Sequence, residues 1–258
     1  MENSRFLECL AADYARIRAV APGSLDRRVP SCPDWTVTDL VQHVGTVYLH
    51  KVATMREGAA PAPWPPAGLN EEEPVALLDR AYAALIDEFA RRAPEDFAST
   101  WYDPDQTVGF WIRRMAQETV IHRIDAELAA AEPVAPVPDD LAIDGVDELL
   151  KTFIAYDAKK YPEDYAEVLD QSPGRSYTIS ANGVEWLVGT APGSFSVGGG
   201  PGMTPATFTD TDTQISGPPP ALLRWAWNRT APGEPSPITI NGDQDLTEFR
   251  RCVVIATQ

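Results

Sequence analysis

Basic residues are scarce in this chain: 21 Lys and Arg stand against 38 Asp and Glu, giving a formal net charge of -17. Nothing basic clusters to offset that excess, which argues against nucleic acid or an anionic membrane surface as a partner. Cysteine is scarce as well. Cys9, Cys32 and Cys252 are scattered, with no C-x-x-C spacing for a metal or redox pair, and free thiols in a reducing cytoplasm fit best. No run approaches the roughly 20 apolar residues that a membrane span needs. The N-terminal stretch MENSRFLECLAADYARIRAV carries charges inside its apolar pattern, unlike a signal peptide. Histidine is limited to His43, His50 and His122. What is present is a globular composition: 258 residues, 44% hydrophobic, enough to bury the core of one large domain or two small ones.

The two halves differ in texture. In residues 3–20, Phe6, Leu7, Leu10, Tyr14 and Ile17 recur with helical period. After a loop with Pro22, Gly23 and Pro30, Thr36 with Asp39 three residues on reads as a capping box. It opens a second helix through Leu40, Val44, Val47 and Tyr48 to about Met55. The proline-rich segment 59–74 interrupts regular structure, and a third helix carries Leu77, Leu78, Ala81, Leu85 and Phe89 on one face. The loop containing WYDPDQTVG leads to a fourth helix over 108–131, which EPVAPVPDD stops, and 139–160 reads as an extra helix. From about residue 172 the pattern becomes short strands. RSYTISANGVEWLVGT reads as a hairpin about Asn182-Gly183, SFSVGGG and ATFTDTDTQISG as further strands, and PPALLRWAWNRT as a short helix. PITINGD and DLTEFRRCVVI follow as a strand and a closing helix. The expected class is α+β: a four-helix bundle over 1–165, then a small α+β domain over 166–258.

The stretch QETVIHRIDAE concentrates the chemistry. On a helix, Trp111, Met115, Glu118, His122, Asp125 and Ala129 fall on one stripe. Glu118 and His122, one turn apart, can share a divalent ion, but a catalytic zinc site usually has three protein donors and one open position. His43 shares a stripe with Leu40 and Val47 and is the candidate third donor, since bundle cores take metal sites from facing helices. Asp125 is placed to orient the His122 ring. His50 lies two turns beyond His43 on nearly the same face, as a substitute ligand, a pocket-mouth residue or a surface histidine. Spacing alone leaves two readings open: a metal site, or an amphipathic helix that carries a satisfied histidine.

CPDWTVTDLVQHVG resembles the C-P-G-W-T-V-x-D-L-x-x-H signature of the mycothiol-dependent maleylpyruvate isomerase family, a branch of the DinB-like metal-dependent bundles. ETVIHRIDAE resembles that family's second motif, E-x-x-x-H-R-x-D-A-E, and the second half is similar to its sterol-carrier-like α+β domain. Asp34 departs from the family's usual glycine, and Trp35 is expected to be a packing anchor at the helix start. The resemblance implies that His43, Glu118 and His122 hold a divalent metal, zinc first, with nickel or iron compatible with the donors. It implies mycothiol, the low-molecular-weight thiol of actinobacteria, as cosubstrate. Arg224, with Arg229 as competitor, is then the second-domain residue that would act on an anionic substrate.

Three functions follow as expectations. The first is a metal- and mycothiol-dependent isomerase or S-transferase, in which the ion makes a thiol nucleophilic for addition to an electrophilic double bond. The second is a thiol-independent, metal-dependent enzyme of specialised metabolism that uses metal-bound water. The third is a non-catalytic protein that binds a small molecule. In the first, the loops at 59–74 and 99–107 would shape the substrate pocket, the alternative being that they are solvated connections. Monomer and homodimer are both compatible with the sequence.

Overall fold

The computed structural model describes residues 1–203, 211–230 and 233–257. It divides into two units, Met1–Ala135 and Pro136–Gln258.

The first unit is built from helices Asn3–Val20 (α1), Val37–Glu57 (α2), Pro74–Ala90 (α3) and Val108–Ala130 (α4). The local signals for these helices are explicit. Thr36 and Asp39 form a reciprocal capping box at the start of α2, with Thr36 N donating to Asp39 Oδ2 at 2.7 Å. The Glu73 carboxylate accepts from Val75 N and Ala76 N at the start of α3, and Thr107 Oγ1 accepts from Phe110 N at the start of α4. Helix α2 ends where Gly58 takes a left-handed conformation, φ 74°, which favours glycine. α1 packs on α4, and α2 on both α3 and α4. Gly45 allows the closest approach of α2 to α3, since a Cβ there would lie 3.0 Å from Leu77 Cγ and 3.4 Å from Leu78 Cα.

Helix α4 is the axis of the unit. It is buried on all sides, and Arg114, Gln117, Thr119, His122, Arg123, Asp125 and Glu127 are all buried polar groups on it. Polar and charged groups persist in such positions only when paired or when they serve a site. One group is structural. Arg123 Nε donates to Asp13 Oδ1 at 2.9 Å, its Nη1 donates to Glu127 Oε2 and to the Ala135 carbonyl, both at 2.8 Å, and Arg16 Nε donates to Glu127 Oε1 at 2.6 Å. That network fastens α1 to α4. A two-stranded ribbon, Arg28–Val29 (β1) and Cys32–Thr36 (β2), also packs beside the bundle, with β1 against α4. Sequence reading treats this stretch as a loop, because two and five residues are too few to show a period.

The second unit begins with Asp139–Asp147 (α5), which runs through a π-helical stretch, Glu148–Ala155, into Tyr156–Lys160 (α6), and is followed by Pro162–Leu169 (α7). Strands Arg175–Ala181 (β3), Val184–Ala191 (β4), Ser194–Gly199 (β5), Thr213–Ser216 (β6) and Thr239–Gly242 (β7) form one sheet in the order β5-β4-β3-β6-β7. The pairings are antiparallel except β3 with β6. Asn182 and Gly183, at φ 48° and 79°, make the two-residue hairpin turn that the Asn-Gly pair predicts. Alternate residues Tyr177, Ile179, Ala181, Trp186 and Val188 face a core completed by helices Pro219–Ala226 (α8) and Thr247–Thr257 (α9). The strand expected within 206–217 is seen over Thr213–Ser216, and residues 204–210 lie outside the described residues.

The helical-then-α+β order matches the sequence expectation, but the division falls elsewhere. The extra helix over 139–160 belongs to the second unit, where α5 packs on α8 and the π-helical stretch on α9 and β5. The division at 135/136 therefore precedes the expected 165/166. Helical periodicity identifies a buried face but not the core that receives it.

Candidate metal centre

Helices α2 and α4 place the three singled-out donors together. His43 Nε2 lies 3.1 Å from Glu118 Oε1, and His122 Nε2 lies 3.2 Å from the same oxygen. Ligating atoms of His43, Glu118 and His122 all lie within 4.8 Å of one another, a group of His, Cys, Asp and Glu that could hold an ion. Donors at 2.0–2.1 Å from a tetrahedral ion are about 3.3 Å apart, so the two histidine-to-carboxylate separations fit such a coordination edge. His50 does not join this group. Its ring lies edge-on to Trp64 at 5.1 Å, and its Nδ1 is 3.3 Å from both Lys51 Nζ and Thr54 Oγ1.

The surroundings fix the donors. His122 Nδ1 donates to Asp125 Oδ2 at 3.0 Å, and the Ser31 hydroxyl donates a very short hydrogen bond to Asp125 Oδ1. Asp125, fully buried, therefore holds His122 with its Nε2 toward Glu118, the orienting role expected of a carboxylate behind a ligand histidine. Arg114, one turn before Glu118 on α4, donates to Glu118 Oε2 in a close ion pair. Trp35, on β2, covers both imidazoles, with its ring 4.8 Å from that of His43 and 6.3 Å from that of His122. It is thus a wall of the site, beyond the packing role expected at the helix start.

The electrostatics favour a cation between these groups. Burial disfavours ionisation of Glu118, but Arg114 and the imidazoles outweigh it and hold the carboxyl well below the usual range. Burial likewise disfavours a charged His122, yet Glu118 and Asp125 outweigh it and raise its pKa to about 9. A buried imidazole drawn toward protonation reports a strongly negative local potential, which a divalent ion would also satisfy. The His43 side chain is 35% exposed, against 13% for Glu118 and 9% for His122, so the group is open on the His43 side.

QETVIHRIDAE thus divides by helical geometry. Glu118, His122 and Asp125 face the site, whereas Arg123 and Glu127 face α1. Three neighbours escape sequence reading. Arg114 has a weak signal, a cation four residues before Glu118 on one helix face. Ser31 and Lys51 have none, because their proximity comes from the ribbon and from α2 packing on α4. Trp64, from the 59–74 segment, meets His50, while the 99–107 loop packs Trp101 and Tyr102 on Phe110. In the second unit, Arg224 pairs with Glu234 through Nη1 and Nη2 at 2.7 and 2.6 Å and donates from Nε to the Arg229 carbonyl at 3.1 Å. Arg229 Nη1 donates to the Trp227 carbonyl at 2.7 Å.

Residues 7–127 match the family model described as the mycothiol maleylpyruvate isomerase N-terminal domain, and residues 140–249 match the corresponding C-terminal domain. Two crystal structures of the mycothiol-dependent maleylpyruvate isomerase share the fold. One, a histidine-to-alanine variant, superposes with a TM-score of 0.56 at 14% identity over 93% of each chain. The other gives 0.55 at 15% identity over 92% of this chain and 96% of that one. No curated protein sequence matches the chain.

Proposed function

Because this chain belongs to the mycothiol maleylpyruvate isomerase family, with both family domains present, we propose that it is a metal-dependent enzyme that uses a thiol cosubstrate. The observation that carries this reading is the convergence of His43 Nε2 and His122 Nε2 on one oxygen of Glu118, with Asp125 bonded behind His122. His43, Glu118 and His122 would hold the ion, zinc first, and three protein donors leave one position for an exogenous ligand. A divalent ion there supplies a lowered thiol pKa, and hence a nucleophilic thiolate at neutral pH.

The protein's own groups set the geometry. Asp125 holds a His122 proton on Nδ1, so that Nε2 is the nitrogen that would exchange its proton for an ion, and Ser31 holds Asp125 in turn. Arg114 keeps Glu118 ionised and anchors its second oxygen. Trp35 screens the imidazoles, and the open His43 side admits thiol and substrate. The thiol sulfur adds to an electrophilic double bond, and a proton completes the adduct. Rotation followed by loss of the proton and thiol gives cis–trans isomerisation, whereas retention of the adduct gives S-transfer. Mycothiol is the thiol that the family's name supplies. Arg224 is the second-domain candidate for an anionic group of the substrate, and its guanidinium is paired with Glu234.

The test is metal analysis of the purified protein beside His43→Ala and His122→Ala, with calorimetry of mycothiol in the presence and absence of a chelator. The expected result is a divalent ion lost in both variants and thiol binding abolished by the chelator. Unchanged metal content in both variants would overturn the ligand assignment. Metal-dependent turnover without any thiol binding would replace the thiol reading with a thiol-independent one.

A further inference from the structure

Lys51 sits on α2 two turns beyond His43, on the side of the site away from Asp125. The His43 Nε2–Glu118 Oε1 contact at 3.1 Å and the seat of Lys51 Nζ over the Trp111 ring at 4.8 Å run α2 antiparallel to α4 across the site, with Lys51 at the turn that carries Trp111. Its Nζ lies 4.8 Å from the centre of the Trp111 ring and 3.3 Å from His50 Nδ1. Burial, with Lys51 as a secondary cause, pulls the His50 pKa down to about 4, so the imidazole beside Lys51 is neutral. Among the described residues, no carboxylate forms a salt bridge with Lys51. The nearest acidic influence is Glu118, which is already shared by Arg114, His43 and His122. Burial draws the Lys51 ammonium down to about 8, Glu118 opposes this, and Arg114 adds to it, so the amine still carries its proton for most of the time at neutral pH.

In a chain with a net charge of -17, the Lys51 ammonium thus stands on one wall of the site with no carboxylate bridging it among the described residues. Holding an ammonium in partly desolvated surroundings without a carboxylate costs free energy, and an anionic ligand removes that cost. The aromatic face of Trp111 steadies the ammonium without neutralising it.

We infer that Lys51, seated on Trp111, is a specificity-determining anchor for a carboxylate of the substrate. The acid group lies along α2, one to two turns from the donors, and the reactive carbon points toward His43 and His122. The inference rests on the proposed metal site only for the placement of that reactive end. The Lys51 anchor itself is a property of the apoprotein.

The experiment is calorimetric titration of succinate and of its uncharged analogue succinamide into the full chain, both chelator-stripped and zinc-loaded. Wild type, Lys51→Met and Lys51→Arg are compared. Methionine keeps the buried stem and removes the charge, and circular dichroism checks that the fold is kept. Succinate is expected to bind both forms of the wild type, about tenfold more weakly to Lys51→Met and within about threefold of wild type to Lys51→Arg. Succinamide binding should be weak and indifferent to the substitution. Three results would overturn the inference: equal succinate affinity in Lys51→Met, no succinate binding by the wild type, or binding confined to the zinc-loaded form and insensitive to Lys51. Lys51-dependent binding by a protein shown to hold no metal would sustain the anchor while removing the metal reading, so the two fail separately.

Discussion

Asp125 offers the sharpest quantitative test of the site, because it touches the proposed ion only through His122. Its Oδ2 accepts from His122 Nδ1 at 3.0 Å, and its Oδ1 takes the Ser31 hydroxyl. In Asp125→Asn the amide oxygen can still accept from His122 and the amide nitrogen can face Ser31 Oγ, so shape is kept and only charge is lost. A hydrogen bond to a charged group contributes about 1.5–3 kcal/mol, against about 1 for a neutral pair. The difference of about 1 kcal/mol corresponds to roughly fivefold weaker metal binding. Asp125→Ala removes the whole interaction and frees the ring to change tautomer, so a loss of about 30- to 100-fold is expected, at the upper end of what such outer partners contribute. Ser31→Ala leaves the His122 bond in place and should weaken binding by less than about threefold. Competition with a chromophoric zinc chelator measures all three, and thermal unfolding of the metal-free proteins reports whether the fold is kept. Wild-type affinity in Asp125→Asn, or a larger loss in Ser31→Ala than in Asp125→Ala, would refute the role given to this carboxylate.

Further outcomes follow from the same packing and charge arguments. Arg123→Ala leaves Glu127 without its buried partner and Asp13 without its cation. It should destabilise the first unit by about 3–5 kcal/mol in urea unfolding, and a loss below about 1 would show that the network does not fasten α1 to α4. Burial raises the Asp157 pKa to about 6, so its ionised form is disfavoured in the fold. Its stabilising contribution is complete below about 4 and is lost as pH rises through 6. Because Asp157 is half-exposed, Asp157→Asn should stabilise by no more than about 1 kcal/mol above pH 6 and leave stability unchanged near pH 4, as followed by thermal melts across that range. Gly45→Val would press a branched side chain on Leu77 and the backbone of Leu78, and a loss of about 1–3 kcal/mol is expected, with no loss counting against the close approach of α2 and α3.

Much of this protein was legible before folding was considered. Helical periods, the Thr36 capping box and the Asn182-Gly183 turn are local, set by residues a few positions apart, and the structure repeats them closely. Glu118, His122 and Asp125 were legible for the same reason, since one helix places them on one stripe whatever surrounds it. Other features depend on partners far away in the chain. Whether 139–169 joins the first core or the second is decided by contacts with α8, α9 and β5, about 30 to 110 residues later. His43 reaches Glu118 across 75 positions and Ser31 reaches Asp125 across 94, through a ribbon too short to have a readable period. Lys51 carries no signal in the sequence, because its seat over the Trp111 ring exists only once α2 has packed on α4. The amino-acid sequence by itself determined the elements and the donor types, because those follow from local geometry and side-chain chemistry. Only the tertiary structure decided which charges are buried together, because desolvation and Coulomb energy depend on distances that local spacing does not encode.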